Sequence, residues 1–139
     1  MRRLPWSFAC LGLVLIAGCD ERENGLGPGL SRIDRTPPAV VSTLPSQGAT
    51  QVGLAEPISI TFSEPMRALS ITRSTIVFEP PIAGLVTVAG STATVTPSVP
   101  LAPNTSYIGT VTTDVEDLSQ NDLGAPFTWT FRTGVVVGG

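Results

Sequence analysis

The sequence contains no histidine and no lysine, and it has only two cysteines in 139 residues. Catalytic arrangements that pair a serine or cysteine nucleophile with a histidine or lysine base are therefore excluded. A zinc site of the usual His/Cys type is excluded for the same reason. Carboxylates remain, but nothing in the spacing of Glu56, Glu64 and Glu79 suggests that two of them converge as a glycosidase requires. These absences indicate that the protein is not an enzyme, and no cofactor is expected.

Positive charge and aromatic side chains are also scarce. All eight basic residues are arginine, against eleven Asp and Glu, so the formal net charge is −3. An acidic surface without a basic patch repels a phosphate backbone, so nucleic acid is not an expected partner. Aromatic residues make up only 6% of the chain. Most of them alternate with polar residues, which favours a place in the core over a place on a binding surface.

The first 18 residues have the features of a signal peptide. Arg2 and Arg3 supply a short positive segment, and residues 4–16 form an almost uninterrupted apolar run. This run is too short to cross a membrane, which takes about 20 apolar residues. Small residues then precede Cys19, as a signal peptidase requires. Two interpretations fit this pattern: an ordinary secretory signal beside an incidental cysteine, or a lipoprotein signal that is cleaved before Cys19.

The residues at the cleavage point resemble a bacterial lipobox, Leu15-Ile16-Ala17-Gly18-Cys19. The resemblance implies that the Cys19 sulfur receives a diacylglyceryl group and that Cys19 becomes the first residue of the mature chain. Two or more acyl chains anchor a protein stably in a bilayer. We therefore expect a lipoprotein of the bacterial cell envelope, anchored to a membrane and facing the periplasm or the cell surface. Cys10 is discarded with the leader, so the mature chain forms no intrachain disulfide.

A tether joins this anchor to the rest of the chain. Residues 19–35 are polar, rich in glycine and without sustained periodicity, which is typical of a flexible linker. A segment of this length has a root-mean-square reach of roughly 20–25 Å, so the domain stays close to the membrane. The pattern changes at Thr36. We place one domain at residues 36–134 and a short tail at residues 135–139.

The domain consists of short runs with β-type alternation, separated by Pro, Gly and Asn, and no stretch carries a helical period. The candidate strands are residues 39–44, 58–62, 75–78, 85–88, 92–96, 107–112 and 127–131. Ala89-Gly90-Ser91 is typical of a hairpin turn. About seven strands at this spacing predict an all-β fold, an antiparallel β-sandwich. The alternation places seven side chains in the core: Ile60, Phe62, Val95, Tyr107, Val111, Trp129 and Phe131.

Five motifs occur in order along the predicted domain. They are Asp34-Arg35-Thr36-Pro37-Pro38, Pro45-Ser46-Gln47-Gly48-Ala49, Phe62-Ser63-Glu64-Pro65-Met66, Leu101-x-Pro103-x-Thr105-x-Tyr107 and Phe127-Thr128-Trp129-Thr130-Phe131-Arg132-Thr133. Together they resemble the bacterial Ig-like domain of the S-layer-protein SbsA type, called Big_5. The resemblance implies an Ig-like β-sandwich, of a kind found in surface-layer proteins, secreted enzymes and envelope lipoproteins. Tyr107 resembles a tyrosine corner, whose hydroxyl bonds to nearby backbone.

One acidic run stands out, at residues 114–122. Its oxygen-bearing side chains could hold Ca²⁺, which takes six to eight oxygen ligands. Asp34 would complete such a site if the strand order brought it near. The alternative, which we favour, is that two of these side chains cap turns and that the other charges are solvated. The candidate ligands are Asp114, Glu116, Asp117, Asn121 and Asp122, of which Asp117 and Asn121 are the candidate caps.

Three classes of function fit an anchored β-sandwich. The first is protein interaction or structural assembly in the envelope, the second is glycan binding or adhesion at the cell surface, and the third is catalysis. We expect the first class, with the membrane and an unidentified envelope protein as partners. Glycan binding is the alternative, and an exposed Trp129 or Tyr107 in a cleft would favour it. Two close carboxyls in a pocket would favour an enzyme.

Overall fold

The computed structural model describes residues 33–135. The predicted signal peptide, Cys19 and nearly all of the predicted tether lie outside the described residues, as does most of the predicted tail. Among the described residues, no helix has the length and apolar character needed to cross a membrane.

Eight strands form two four-stranded sheets. The first sheet has the order β1-β3-β6-β5 and the second has the order β2-β8-β7-β4. A 3-10 helix, Ala68–Ser70, lies between β3 and β4. The arrangement confirms the all-β, Ig-like sandwich. The strands are β1 (Val40–Leu44), β2 (Ala49–Val52), β3 (Ile58–Phe62), β4 (Ile76–Glu79), β5 (Gly84–Ala89), β6 (Thr92–Pro97), β7 (Ser106–Val111) and β8 (Phe127–Thr133).

The short strand β2 was not predicted, and it departs from the antiparallel pattern. It pairs in parallel with β8, with Ala49 opposite Phe131 and Val52 opposite Thr133, and the register shifts between these pairs. Gln51 in this strand has a positive φ of 56°. A four-residue segment forms a strand only when a neighbouring strand pairs with it, and here that neighbour is β8. The prediction of about seven antiparallel strands is therefore one strand short and misses one parallel pair.

The other seven strands lie within two residues of their predicted positions. The predicted hairpin joins β5 to β6 through the two residues Gly90 and Ser91. Gly90 has a positive φ of 61°, a backbone conformation that glycine adopts without steric cost. The local turn signal thus identified the hairpin correctly.

The core lies between the two sheets and contains all seven of the predicted side chains. The rings of Tyr107 and Phe131 stack with their centres 5.6 Å apart. The ring of Phe78 meets Trp129 edge-on at 5.7 Å. The backbone N–H of Ala102 donates a hydrogen bond to the Tyr107 hydroxyl at 2.9 Å, which is the contact expected of a tyrosine corner.

Trp129 occupies space that a neighbouring glycine leaves free. Gly109 lies directly opposite Trp129 in the pairing of β7 with β8. A methyl group added at Gly109 would lie 2.5 Å from Cη2 of the indole, well inside van der Waals contact. The indole N–H of Trp129 has no hydrogen-bond partner in the described part of the chain. Packing, rather than hydrogen bonding, therefore positions this ring.

We predict that Gly109→Ala lowers the free energy of unfolding by about 1–3 kcal/mol, because the new methyl group overpacks the core. Gly124→Ala is the matched control, since the same methyl group would find its nearest neighbour, Cβ of Pro37, at 3.8 Å. Urea denaturation of both variants measures the difference. Equal stability of the two would show that the core adjusts freely around Trp129.

Candidate functional site

Three carboxylates from separate segments of the chain converge at one end of the sandwich. Asp34 lies in the segment that enters β1, Glu64 follows β3, and Asp117 lies between β7 and β8. One carboxylate oxygen from each lies within 4.8 Å of the other two. We call these residues the carboxylate cluster. Backbone pairing of Met66 with Asp117 holds the second and third segments together.

Asp117 is fully buried, and its carboxylate organises the turn that follows it. Its Oδ1 accepts hydrogen bonds from the backbone N–H groups of Ser119 at 2.6 Å and Asn121 at 2.9 Å. Its Oδ2 accepts a bond from the Asn121 side-chain amide at 2.8 Å. Asp117 thus forms the turn-capping bonds that the favoured alternative predicts for it, whereas the side-chain amide of Asn121 donates to Asp117 and not to the backbone of this turn.

The same asparagine connects this turn to the segment that enters the domain. Nδ2 of Asn121 also donates to the backbone carbonyl of Asp34 at 3.1 Å. The Asp34 carboxylate in turn accepts a bond from the backbone N–H of Thr36 at 2.9 Å. The bond from Asn121 holds Asp34 beside Asp117, and the bond from Thr36 fixes the Asp34 side chain, which is itself exposed.

The cluster shifts the pKa values of two of its members in opposite directions. The pKa of Glu64 is raised above its ordinary value of 4.5, first by burial and then by the negative charges of Asp117 and Asp34. Hydrogen bonding to these two groups raises it further. Burial alone would also raise the pKa of Asp117, but the bonds donated by Asn121 and Ser119 outweigh it and lower the pKa overall. As the pH falls, Glu64 therefore takes up a proton before Asp117 does.

Of the five candidate calcium ligands, only Asp117 belongs to the carboxylate cluster. Asp114 and Asp122 are exposed. Glu116 forms an ion pair with Arg67, with Nη1 and Oε1 2.9 Å apart. Asn121 lies beside the cluster, but its amide nitrogen donates to Asp117 and Asp34.

The strand order does bring Asp34 to Asp117, as the calcium hypothesis required. The place of Glu64 in the cluster was not predicted, because its partners are two aspartates that are distant in sequence and not Glu56 or Glu79. The one available signal was the position of Glu64 at a strand end, where loop side chains gather. Calcium binding by these residues stays the less favoured of the two hypotheses.

Two grooves lie elsewhere on the described chain. An open groove of about 610 Å³ is lined by the β1–β2 connection and the segment before β3, with Glu56 as its one ionisable residue. A second groove of about 500 Å³ is lined by residues 37–40 and 123–127, none of them ionisable. The carboxylate cluster therefore lines neither groove, and these grooves contain no pair of carboxyls.

A family comparison agrees with this architecture. The model of the bacterial Ig-like domain, Big_5, matches residues 34–133. The chain belongs to this family. Its Ig-like domain is thus a structural or interaction module. A search of curated proteins finds no match to the sequence.

Three solved structures share the fold. An L,D-transpeptidase from Mycobacterium smegmatis has a TM-score of 0.55 at 22% identity, over 71% of this chain and 41% of that one. The N-terminal part of the bacterial S-layer protein SbsC has a TM-score of 0.54 at 19% identity, over 71% and 24%. PcoC, a methionine-rich copper resistance protein from Escherichia coli, has a TM-score of 0.52 at 16% identity, over 70% and 99%. This chain spans less than half the length of the first two, and at these identities the likeness concerns the fold alone.

We predict that Glu64→Gln raises the melting temperature at pH 7 by a few degrees, because it removes a negative charge beside Asp34 and Asp117. Since the folded-state pKa of Glu64 is raised, its ionisation destabilises the wild-type protein as the pH rises above about 4.5. The difference in melting temperature between the variant and the wild type should shrink as the pH falls and Glu64 becomes protonated. Thermal melts from pH 3.5 to 8, with Glu56→Gln as the control, measure this. An advantage that does not depend on pH would contradict the assignment.

We predict that calcium leaves the stability of the protein nearly unchanged. Both carboxylate oxygens of Asp117 already accept hydrogen bonds, so a cation would have to compete with the turn. The measurement is the melting temperature of the full chain with a chelator and with millimolar Ca²⁺. A ligand at 100 times its Kd stabilises a protein by about 2.7 kcal/mol, so a rise of several degrees that Asp117→Asn abolishes would establish a calcium site.

Proposed function

We propose that this protein is a lipid-anchored envelope protein whose Ig-like domain has a non-catalytic role in protein interaction or structural assembly. The match of the Ig-like family to residues 34–133 carries the proposal, because it covers almost the entire described domain. The anchor is supported by the lipobox-like residues 15–19 and by the positive and apolar segments before them.

The arrangement of the aromatic side chains favours protein interaction over glycan binding. Sugar-binding sites usually present an exposed aromatic ring. Trp129 is 1% exposed and Tyr107 is 4% exposed, and the remaining aromatic side chains among residues 33–135 are buried or half-buried. The described surface therefore offers no aromatic platform on which a sugar could stack.

Two members of the carboxylate cluster are engaged in structural hydrogen bonds, which supports a non-catalytic role. The Asp117 carboxylate is occupied by three hydrogen bonds within its own turn. Asp34 is held on the surface by the backbone N–H of Thr36. A glycosidase places two free carboxyls on either side of a bound sugar in a cleft, whereas the 610 Å³ and 500 Å³ grooves are lined by other residues.

The proposal is tested in bacterial cells that express the full chain and are fed an alkyne-tagged fatty acid, followed by chemical crosslinking and mass spectrometry. The wild-type protein should carry the fatty acid and capture one dominant envelope protein. Cys19→Ser should abolish the fatty-acid label, because the acylated sulfur is lost. Cys10→Ser is the matched control, since this cysteine lies in the apolar part of the leader, and it should leave the label and the captured protein unchanged.

Two results would contradict separate parts of the proposal. A fatty-acid label that survives Cys19→Ser would show that Cys19 is not the anchor. Recovery with peptidoglycan or polysaccharide, and with no protein, would replace protein interaction with glycan binding or a passive surface role.

A further inference from the structure

The sandwich has four edge strands, β1, β2, β4 and β5, and three of them are protected. Open edges pair with other strands unless prolines, charges, register shifts or a short length prevent it. β1 follows two prolines and has a register shift. β2 has four residues and a register shift. β4 has four residues, ends at the charged Glu79 and is followed by Pro80.

β5 is the longest of the four edge strands. It contains six residues, Gly84–Ala89, and pairs regularly with β6 along its whole length. It contains no charge and no proline. Leu85 is 66% exposed, and Val86 and Val88 are only partly buried against the core. The 3-10 helix packs near this strand and leaves these three side chains partly accessible.

The sequence of β5 is nearly the same in both directions. Counting outward from Thr87, the flanking pairs are Val86 with Val88, Leu85 with Ala89, and Gly84 with Gly90. A strand with this symmetry presents the same side chains to an antiparallel copy of itself. We propose that two copies of this chain associate through β5, in antiparallel pairing, with a two-fold axis at Thr87.

The hydrogen-bonding pattern of the hairpin supports an axis at this residue. Residues of an antiparallel ladder alternate between pairs that exchange backbone hydrogen bonds and pairs that do not. Counting from the two-residue turn, Ala89, Thr87 and Leu85 direct their backbone groups towards β6, so Val86 and Val88 direct theirs outwards. An axis at Thr87 places Val86 opposite Val88 of the partner subunit. The outward N–H groups of one copy then face the outward carbonyl groups of the other.

Charge also favours this edge over the rest of the surface. The chain is negative overall, so two copies repel each other wherever acidic loops meet. β5 brings only neutral side chains together, and pairing covers its two half-exposed valines. Because each copy uses the same edge, the pairing closes as a dimer and does not extend into a fibre. This inference goes beyond the proposed function, since it requires neither the lipid nor an envelope protein.

The first test is disulfide trapping in the full chain with Cys10→Ser and Cys19→Ser, so that an introduced cysteine is the only thiol. Residues directly opposite each other in non-bonded antiparallel pairs have Cβ atoms about 4.5–5.5 Å apart, close enough for a disulfide after a small adjustment. Thr87→Cys should therefore give a covalent dimer under mild oxidation in detergent. Thr50→Cys, an exposed position on the protected edge β2, should remain monomeric.

The second test is sedimentation of the detergent-solubilised full chain, at concentrations up to about 1 mM because so short an interface is weak. The wild-type mass should rise to twice that of the monomer. Thr87→Lys should abolish the dimer by placing two positive charges on the axis, whereas Thr50→Lys should not. Circular dichroism checks that each variant stays folded.

Three outcomes would overturn the proposal. The first is equal disulfide formation at positions 87 and 50. The second is a wild-type chain that stays monomeric throughout the concentration range. The third is growth beyond the dimer, which would indicate strand-mediated aggregation without a two-fold axis. None of them bears on the fatty-acid label or the captured envelope protein, so failure here is distinguishable from failure of the proposed function.

Discussion

The packing of Trp129 over the backbone of Gly109 is the contact on which much of the sandwich depends. Trp129 lies on β8, which pairs with β7 on one side and with β2 on the other. Its ring also meets Phe78 from β4, so one side chain connects three of the four strands of its sheet. The indole N–H has no partner in the described chain, and an unsatisfied buried donor costs about 1–3 kcal/mol. Burial of the large ring must offset this cost.

The carboxylate cluster shows how local hydrogen bonding decides the state of a charged group. Glu64 and Asp117 lie in the same negative environment, yet their pKa values move in opposite directions. Asp117 receives two backbone N–H bonds and one amide bond, which favour its charged form. Glu64 has no comparable set of donors among the causes of its shift, so burial and repulsion dominate. The cluster thus combines a turn-forming carboxylate with a proton-accepting one.

In this family the function of a domain depends on its surface residues and not on its fold. A transpeptidase, an S-layer protein and a copper resistance protein all contain a similar sandwich, and a shared fold does not imply a shared activity. In this chain the core takes up most of the aromatic side chains, and the acidic groups gather in the loops. What remains distinctive is the set of sheet edges, since β5 alone of the four has six residues with no proline, charge or register shift. The properties of these edges decide which other strands the domain can accept.

Local patterns in the sequence were sufficient for most of the fold. Alternation located seven strands and seven of the core side chains, because the side chains of a strand point alternately to its two faces and only one face is buried. The glycine of the β5–β6 turn and the tyrosine-corner motif were also recognisable, since each depends on contacts within a few residues. Only the tertiary structure decided the existence of β2, its parallel pairing with β8, and the meeting of Glu64 with Asp34 and Asp117. These features join segments that are distant in the chain, and a single sequence contains no direct signal of which distant segments become neighbours.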